Sequence, residues 1–116
     1  MSHTVVKIDG KSIHDRESFH DVFARAMGFP DFYGRNRDAW LDCMTSLDAP
    51  EEKLTSVHAP PGGVLVLQID NVDAFAAQCP EQFSVLVEDA ASVNWRRLYL
   101  GKPPVLALSF HRSPHD

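Results

Sequence analysis

This chain predicts a small α/β domain with a three-stranded parallel sheet, on three observations. The segments TVVKI (4–8), VLVLQI (64–69) and VLALSF (105–110) are short, rich in aliphatic or β-branched residues, and read as strands. Between each pair lie stretches whose apolar residues recur at helical spacing. The separations are far too long for hairpins, and strands joined through helical crossovers run parallel with right-handed connections. A chain of 116 residues holds one such domain and not two comfortable ones. The first strand is expected in the middle of the sheet. The second, nearly all apolar, has the pattern of a strand covered on both faces.

Taken in order, the first strand meets the turn Asp9-Gly10. Phe19, Val22, Phe23, Ala26 and Met27 then form the apolar stripe of a helix over 15–27, with Asp15 as N-cap and Gly28 and Pro30 as its stop. His20 falls on the polar side of that helix and reads as a solvated histidine. Residues 30–33 make a short link, and Gly34 is expected to let the backbone bend sharply. Asn36 caps a second helix over 37–47. At about 100° per residue, Ala39, Trp40, Cys43, Met44 and Leu47 share one arc of it, and Asp38, Asp42, Thr45 and Ser46 the opposite one.

Residues 48–63 carry Pro50, Pro60, Pro61, Gly62 and Gly63 with no sustained period, and read as a long surface connection with a helical turn near 51–54. After the second strand, Asp70 or Asn71 caps a short helix. Pro80 opens a further one, with Phe83, Leu86, Val87 and Ala90 as its buried stripe and an end somewhere in 91–97. Gly101 to Pro104 break the chain before the last strand, and the tail 111–116 is expected to be loose.

Composition narrows the function. A formal charge of −5 and a pI of about 5.6 argue against nucleic-acid or anionic-membrane partners and favour a basic one. Cys43 and Cys79 make neither a disulfide framework nor a zinc site, and the histidines show no ligand spacing. No metal or other cofactor is expected. The start lacks a basic region followed by an apolar stretch, and no apolar run approaches the roughly 18 residues of a membrane span, so the expectation is a cytoplasmic protein. Phosphate-cradling glycine loops, nucleophile elbows and metalloprotease helices are all missing.

What remains is the pair Asp38 and Asp42. Four residues apart, they lie one above the other on a helix, where like charges cost an isolated helix roughly 0.2–0.5 kcal/mol. Folding does not call for them, so they are the first place to look for function. A small hydrolase holding a divalent ion on the pair is one reading, but such sites usually gather their groups from several elements. Carboxylates at fixed spacing on a rigid element also imitate the phosphates of a nucleic-acid backbone. Such a ridge could plug a nuclease site built to bind phosphates, with Phe32 or Tyr33 as an anchor.

The stretch PDFYGRNRDAWLDCMT (30–45) resembles the barstar family, intracellular inhibitors of barnase-type microbial ribonucleases, and the resemblance runs without a gap from residue 8 to residue 47. It implies a three-stranded parallel sheet with about four helices around it. It implies that Asp42 enters the nuclease's phosphate pocket and that Asp38 pairs with a basic residue beside it. Phe32 sits where the family stacks an aromatic on the catalytic histidine, and Gly34 and Asn36 match the loop that approaches with its backbone. Leu41 and Thr45 complete the helix face, and Glu88 is the late-helix acid, with Glu81 and Asp89 as the other candidates. Phe32 replaces the usual tyrosine, Arg35 stands where an acid is found, and Trp40-Leu41 reverses the familiar order, moving the indole toward the core. The expectation is a single domain over 1–116 that inhibits an extracellular-type ribonuclease or related basic toxin by direct binding, without chemistry, and is a monomer when free. The alternative is a module of the same fold that neutralises another toxin or serves as a general interaction domain.

Overall fold

The computed structural model describes residues 2–114. The chain runs β1 (His3–Asp9), α1 (Arg16–Met27), α2 (Arg37–Thr45), β2 (Val64–Asp70), α3 (Val72–Gln78), α4 (Pro80–Tyr99) and β3 (Leu106–Phe110), with single 3₁₀ turns at Gly10–Ser12 and Pro50–Glu52. All three strands are parallel, as expected. Their order is β1-β2-β3, however, so the second strand is central and not the first.

That order decides how the sheet is covered. Two right-handed crossovers that step in the same direction put all their helices on one face; a central β1 would have divided them between two. Burial follows suit. Val6, Ile8, Leu65, Leu67, Ile69 and Leu106 point into one core with Phe19, Phe23, Trp40, Phe75 and Leu86. The opposite face, the rows His3-Val64, Val5-Val66-Ala107 and Lys7-Gln68-Ser109, has no helix over it among the described residues: none of these side chains is buried, and Val5 is 45% exposed. The apolar run of β2 therefore does not mean a strand buried on both sides.

Local chemistry sets the element ends. Asp15 caps α1 through Ser18 N–H at 2.7 Å, and the Ser18 hydroxyl accepts from Asp15 N–H in return, a closed capping box. Gly28 ends the helix in the left-handed region at φ 64°, where a β-carbon would also strike Ser56. Gly10 turns so close to the backbone oxygens of Asp70 and Asn71 (2.7 and 2.8 Å from a notional Cβ) that no larger residue fits. Asn71 occupies the N-cap of α3 at φ 53°, but its amide donates to Asp9 across the sheet and does not cap the helix. Pro80 opens α4, which continues to Tyr99, past the expected end.

The connection 48–63 runs mostly along the surface, with its helical turn at Pro50–Glu52, and is pinned there: Ser56 N–H donates to Met27 O at 2.8 Å, Ala59 N–H to Leu47 O at 2.9 Å, and Thr55 and Ala59 are buried. Two further expectations give way. The tail is held through Ser113. His111 N–H donates to Ile69 O, and Ser113 donates to the Asp73 carboxylate from both its backbone and its hydroxyl; residues 115 and 116 lie outside the described part. On α4 the stripe is Leu86, Asp89, Ala90, Val93 and Arg97, while Val87 faces outward at 41% exposure. Two charged residues enter that stripe because both find partners from the α2 region.

Candidate functional site: the α2 face and its neighbours

The link between α1 and α2 separates its two aromatics. Tyr33 turns inward, its ring 4.5 Å from Phe29 and its hydroxyl 2.6 Å from His20 Nδ1, while Phe32 stands 77% exposed. His20 is therefore a buried histidine, not a solvated one. A helical wheel cannot show that a later segment folds over its polar side. Burial, aided by the nearby Arg16 and Arg35 cations, pushes the His20 pKa down to about 4. The left-handed residue of the link is Arg35, at φ 54°, and not Gly34. Side-chain contacts hold Arg35 there. Its guanidinium pairs with Asp21 at 2.8 Å, and Arg16 donates to its carbonyl at 3.2 Å.

Asn36 Oδ1 accepts from Ala39 N–H at 2.8 Å and its amide donates to Gly34 O at 3.3 Å, so both ends of the side chain are committed to starting α2. This start aims the helix. Trp40, Cys43, Met44 and Leu47 go to the core, with the Trp40 indole edge-on to Phe23 at 5.6 Å. Burial and the Asp42 charge push the Cys43 thiol up to about 11, which leaves it an inert core group. Leu41 also goes to the core, at 9% exposure, because α4 packs along that flank. It supports the helix from beneath and offers a partner almost no area.

Asp38 and Asp42 are both exposed. Asp38, in the first turn, makes no hydrogen bond or ion pair among the described residues. Asp42 Oδ1 accepts from Arg96 of α4 at 2.9 Å, with 69% of its side chain still in solvent. Thr45 is half-buried and its hydroxyl donates to Leu41 O at 2.6 Å. Of the late-helix acids, Asp89 is buried, its side chain 5% exposed, and takes a two-pronged clamp from Arg37, whose Nη2 reaches Oδ1 at 2.6 Å. Glu88 beside it is 66% exposed and meets the same guanidinium at 3.1 Å. Glu81 lies exposed in the first turn of the helix. Asp89 is thus an internal group, and Glu88 and Glu81 are the acids that face out.

From the sequence, Arg35 and Arg37 are the cations that could offset the Asp38–Asp42 pair; the structure commits Arg35 to Asp21 and Arg37 to Asp89 and Glu88, and sets Arg96, which no local pattern marks, against Asp42. The face is therefore a row of carboxylates flanked by two guanidiniums, Arg37 on Glu88 and Asp89 and Arg96 on Asp42, with Asp38 unpaired among the described residues. The exposed Asp42–Arg96 contact contributes only about 0.2–1 kcal/mol and gives way readily to a better partner, whereas Arg37 is held by the buried Asp89. Beside Asp42 lies a groove of about 620 Å³, lined by Thr45, Ser46, Leu54, Trp95, Arg96, Tyr99 and Leu100. The length of α4, missed in the sequence, is what carries Trp95 and Tyr99 here. Among the described residues no three His, Cys, Asp or Glu side chains gather as a metal would need. No helix among them is long and apolar enough to cross a membrane.

Comparison with known proteins bears on this arrangement. Residues 3–100 match the family model described as Barstar (barnase inhibitor). A curated protein of Bacillus subtilis (strain 168), named "Putative ribonuclease inhibitor YrdF", is 46% identical over 44 residues, 37% of this chain and 48% of that protein. The alignment thus spans about half of that relative's length. With a family match that extends from β1 through the end of α4, this chain belongs to the barstar family of barnase inhibitors.

Proposed function

We propose that the protein is a cytoplasmic inhibitor that binds a barnase-type ribonuclease and occludes its basic active site, serving as an antitoxin or immunity protein. It does so by complementarity alone, with no bond made or broken and no cofactor. The observation that carries this reading is the exposed Asp38–Asp42 ridge on a helix whose other face is locked into the core. A nuclease pocket holds phosphates with arginine, lysine and histidine. Two carboxylates one helical turn apart meet such a pocket with the right sign, and the fixed helix keeps the ordering cost of binding low. Phe32, presented by the inward anchor of its neighbour Tyr33, adds an apolar contact at the edge. Gly34 and Asn36 offer backbone, since the Asn36 side chain is already engaged. Glu88 and Thr45 extend the face.

The test is calorimetric titration of the free monomer against barnase. Asp42→Ala should weaken binding most and Asp38→Ala next, each by about 30-fold or more. That corresponds to the roughly 2 kcal/mol that marks an energetic hot spot, a threshold to which this family's founding member itself contributes. Melting temperatures should stay at the wild-type value, and association should slow as salt rises. Unchanged binding by either variant would overturn the proposal. A second reading, in which the same face neutralises a toxin that is not a nuclease, draws on the arginines interleaved with its acids, which call for acceptors as well as cations in the partner. Co-purification of such a toxin together with indifference to barnase would select it.

A further inference from the structure

The last turns of α4 present more apolar surface than anything else near the ridge. Trp95 is 67% exposed, Tyr99 83% and Leu100 66%. Trp95 and Tyr99 are four residues apart, so their rings lie over one helix face. This end of the helix is not frayed. Arg97, between them, is 2% exposed and donates to both oxygens of Asp48 at 2.7 and 2.8 Å, to Thr45 O at 3.2 Å and to Pro103 O at 3.0 Å. Lys102 N–H then closes back on Arg97 O at 2.8 Å. The two aromatics are thus held out into water by a helix end that is bolted to the α2 region. Large aromatics so exposed and so rigid are the residue types that anchor protein interfaces.

Charge identifies the occupant. The groove that these rings line with Leu54 is bounded on one side by the Asp42 carboxylate and its Arg96 partner. The wall of the groove and one end of the acidic ridge are therefore the same residue. Whatever cation takes Asp42 brings its own neighbouring surface over Trp95 and Tyr99. We propose that this groove is the apolar arm of the inhibitory surface and that it seats an aliphatic or aromatic side chain of the ribonuclease, next to the basic residue that claims Asp42. The released Arg96 then requires an acceptor, so the matching nuclease surface also offers a carbonyl or carboxylate there. This makes Arg96 a specificity element: a merely basic protein leaves it facing a second cation. The inference rests on the inhibitory reading above and adds a contact site to it.

The experiment measures barnase binding by titration calorimetry for wild type, Asp42→Ala, and the double variant Trp95→Ala/Tyr99→Ala, with sedimentation of each protein alone. Both aromatics are exposed, so the double variant should melt with the wild type. The expected result is binding at least tenfold weaker in the double variant, chiefly through faster dissociation. Tyr99→Ala alone should give an intermediate loss. If Asp42→Ala loses affinity while the double variant binds like wild type, the groove is idle and this proposal fails with the inhibitory reading intact. If wild type ignores barnase, both fall. If the aromatics instead hold together a dimer that the double variant dissolves, the occupant is a second copy of this chain and the proposal is overturned.

Discussion

His20 shows how one side chain couples the link before α2 to pH. It is 3% exposed, bonded to Tyr33, and its pKa is held at about 4 against about 6.5 in the unfolded chain. The folded state thus prefers the neutral ring. Its contribution is complete above about pH 6.5 and is lost as pH falls through that value toward 4, because the unfolded chain takes the proton first. At about 1.4 kcal/mol per pH unit, the full loss amounts to about 3 kcal/mol. Urea denaturation at pH 7, 5 and 4 should reveal it as a steeper decline than the carboxylates alone produce. His20→Gln, which keeps a hydrogen-bonding group but cannot titrate, should flatten that part of the curve; an unaltered slope would place the acid sensitivity elsewhere.

At the scale of elements, α2 and α4 act as one unit, stitched by two arginines that cross between them in opposite directions. Arg37 of α2 clamps Asp89 in the middle of α4, and Arg97 of α4 reaches back to the carbonyl of Thr45, the last residue of α2, and to Asp48 just beyond it. Hydrogen bonds from Arg97 hold the Asp48 carboxyl below the usual carboxylate range. A buried, fully bonded charge of this kind is costly to break from one side, since removing one partner leaves the other desolvated. Arg97→Ala should therefore cost about 3–5 kcal/mol in denaturant unfolding. It should also weaken barnase binding, because Arg96, Trp95 and Tyr99 are positioned from the same turn. Arg97→Lys should recover little, as an ammonium cannot reproduce the two-pronged contact.

For the whole molecule, the consequential fact is that every helix among the described residues lies on one side of the sheet. The covered face carries the cooperative core, and the bare face contributes little. Leu67→Ala, at 0% exposure on the central strand, should lose about 2–5 kcal/mol of unfolding free energy. Val5→Lys, on the open face of an edge strand, should change it by no more than about 0.5 kcal/mol. Comparable losses from the two would mean that something covers the open face.

The sequence alone determined the elements and their direction, because strand and helix patterns are local and parallel pairing follows from connection length. It also determined the outward aim of Asp38 and Asp42, since one period of one helix fixes which residues share an arc. Family resemblance at 30–45 was legible there too, as a run of residue types at fixed spacing. Only the tertiary structure decided what depends on where a distant segment lands. That includes β2 at the centre of the sheet, Tyr33 folded over His20, Leu41 taken from the surface by α4, Asp89 drawn inside by Arg37, and Arg96 set against Asp42 beside two exposed aromatics. Each of these is a contact between residues 13 or more positions apart or a choice between equally patterned topologies, and no local period encodes either.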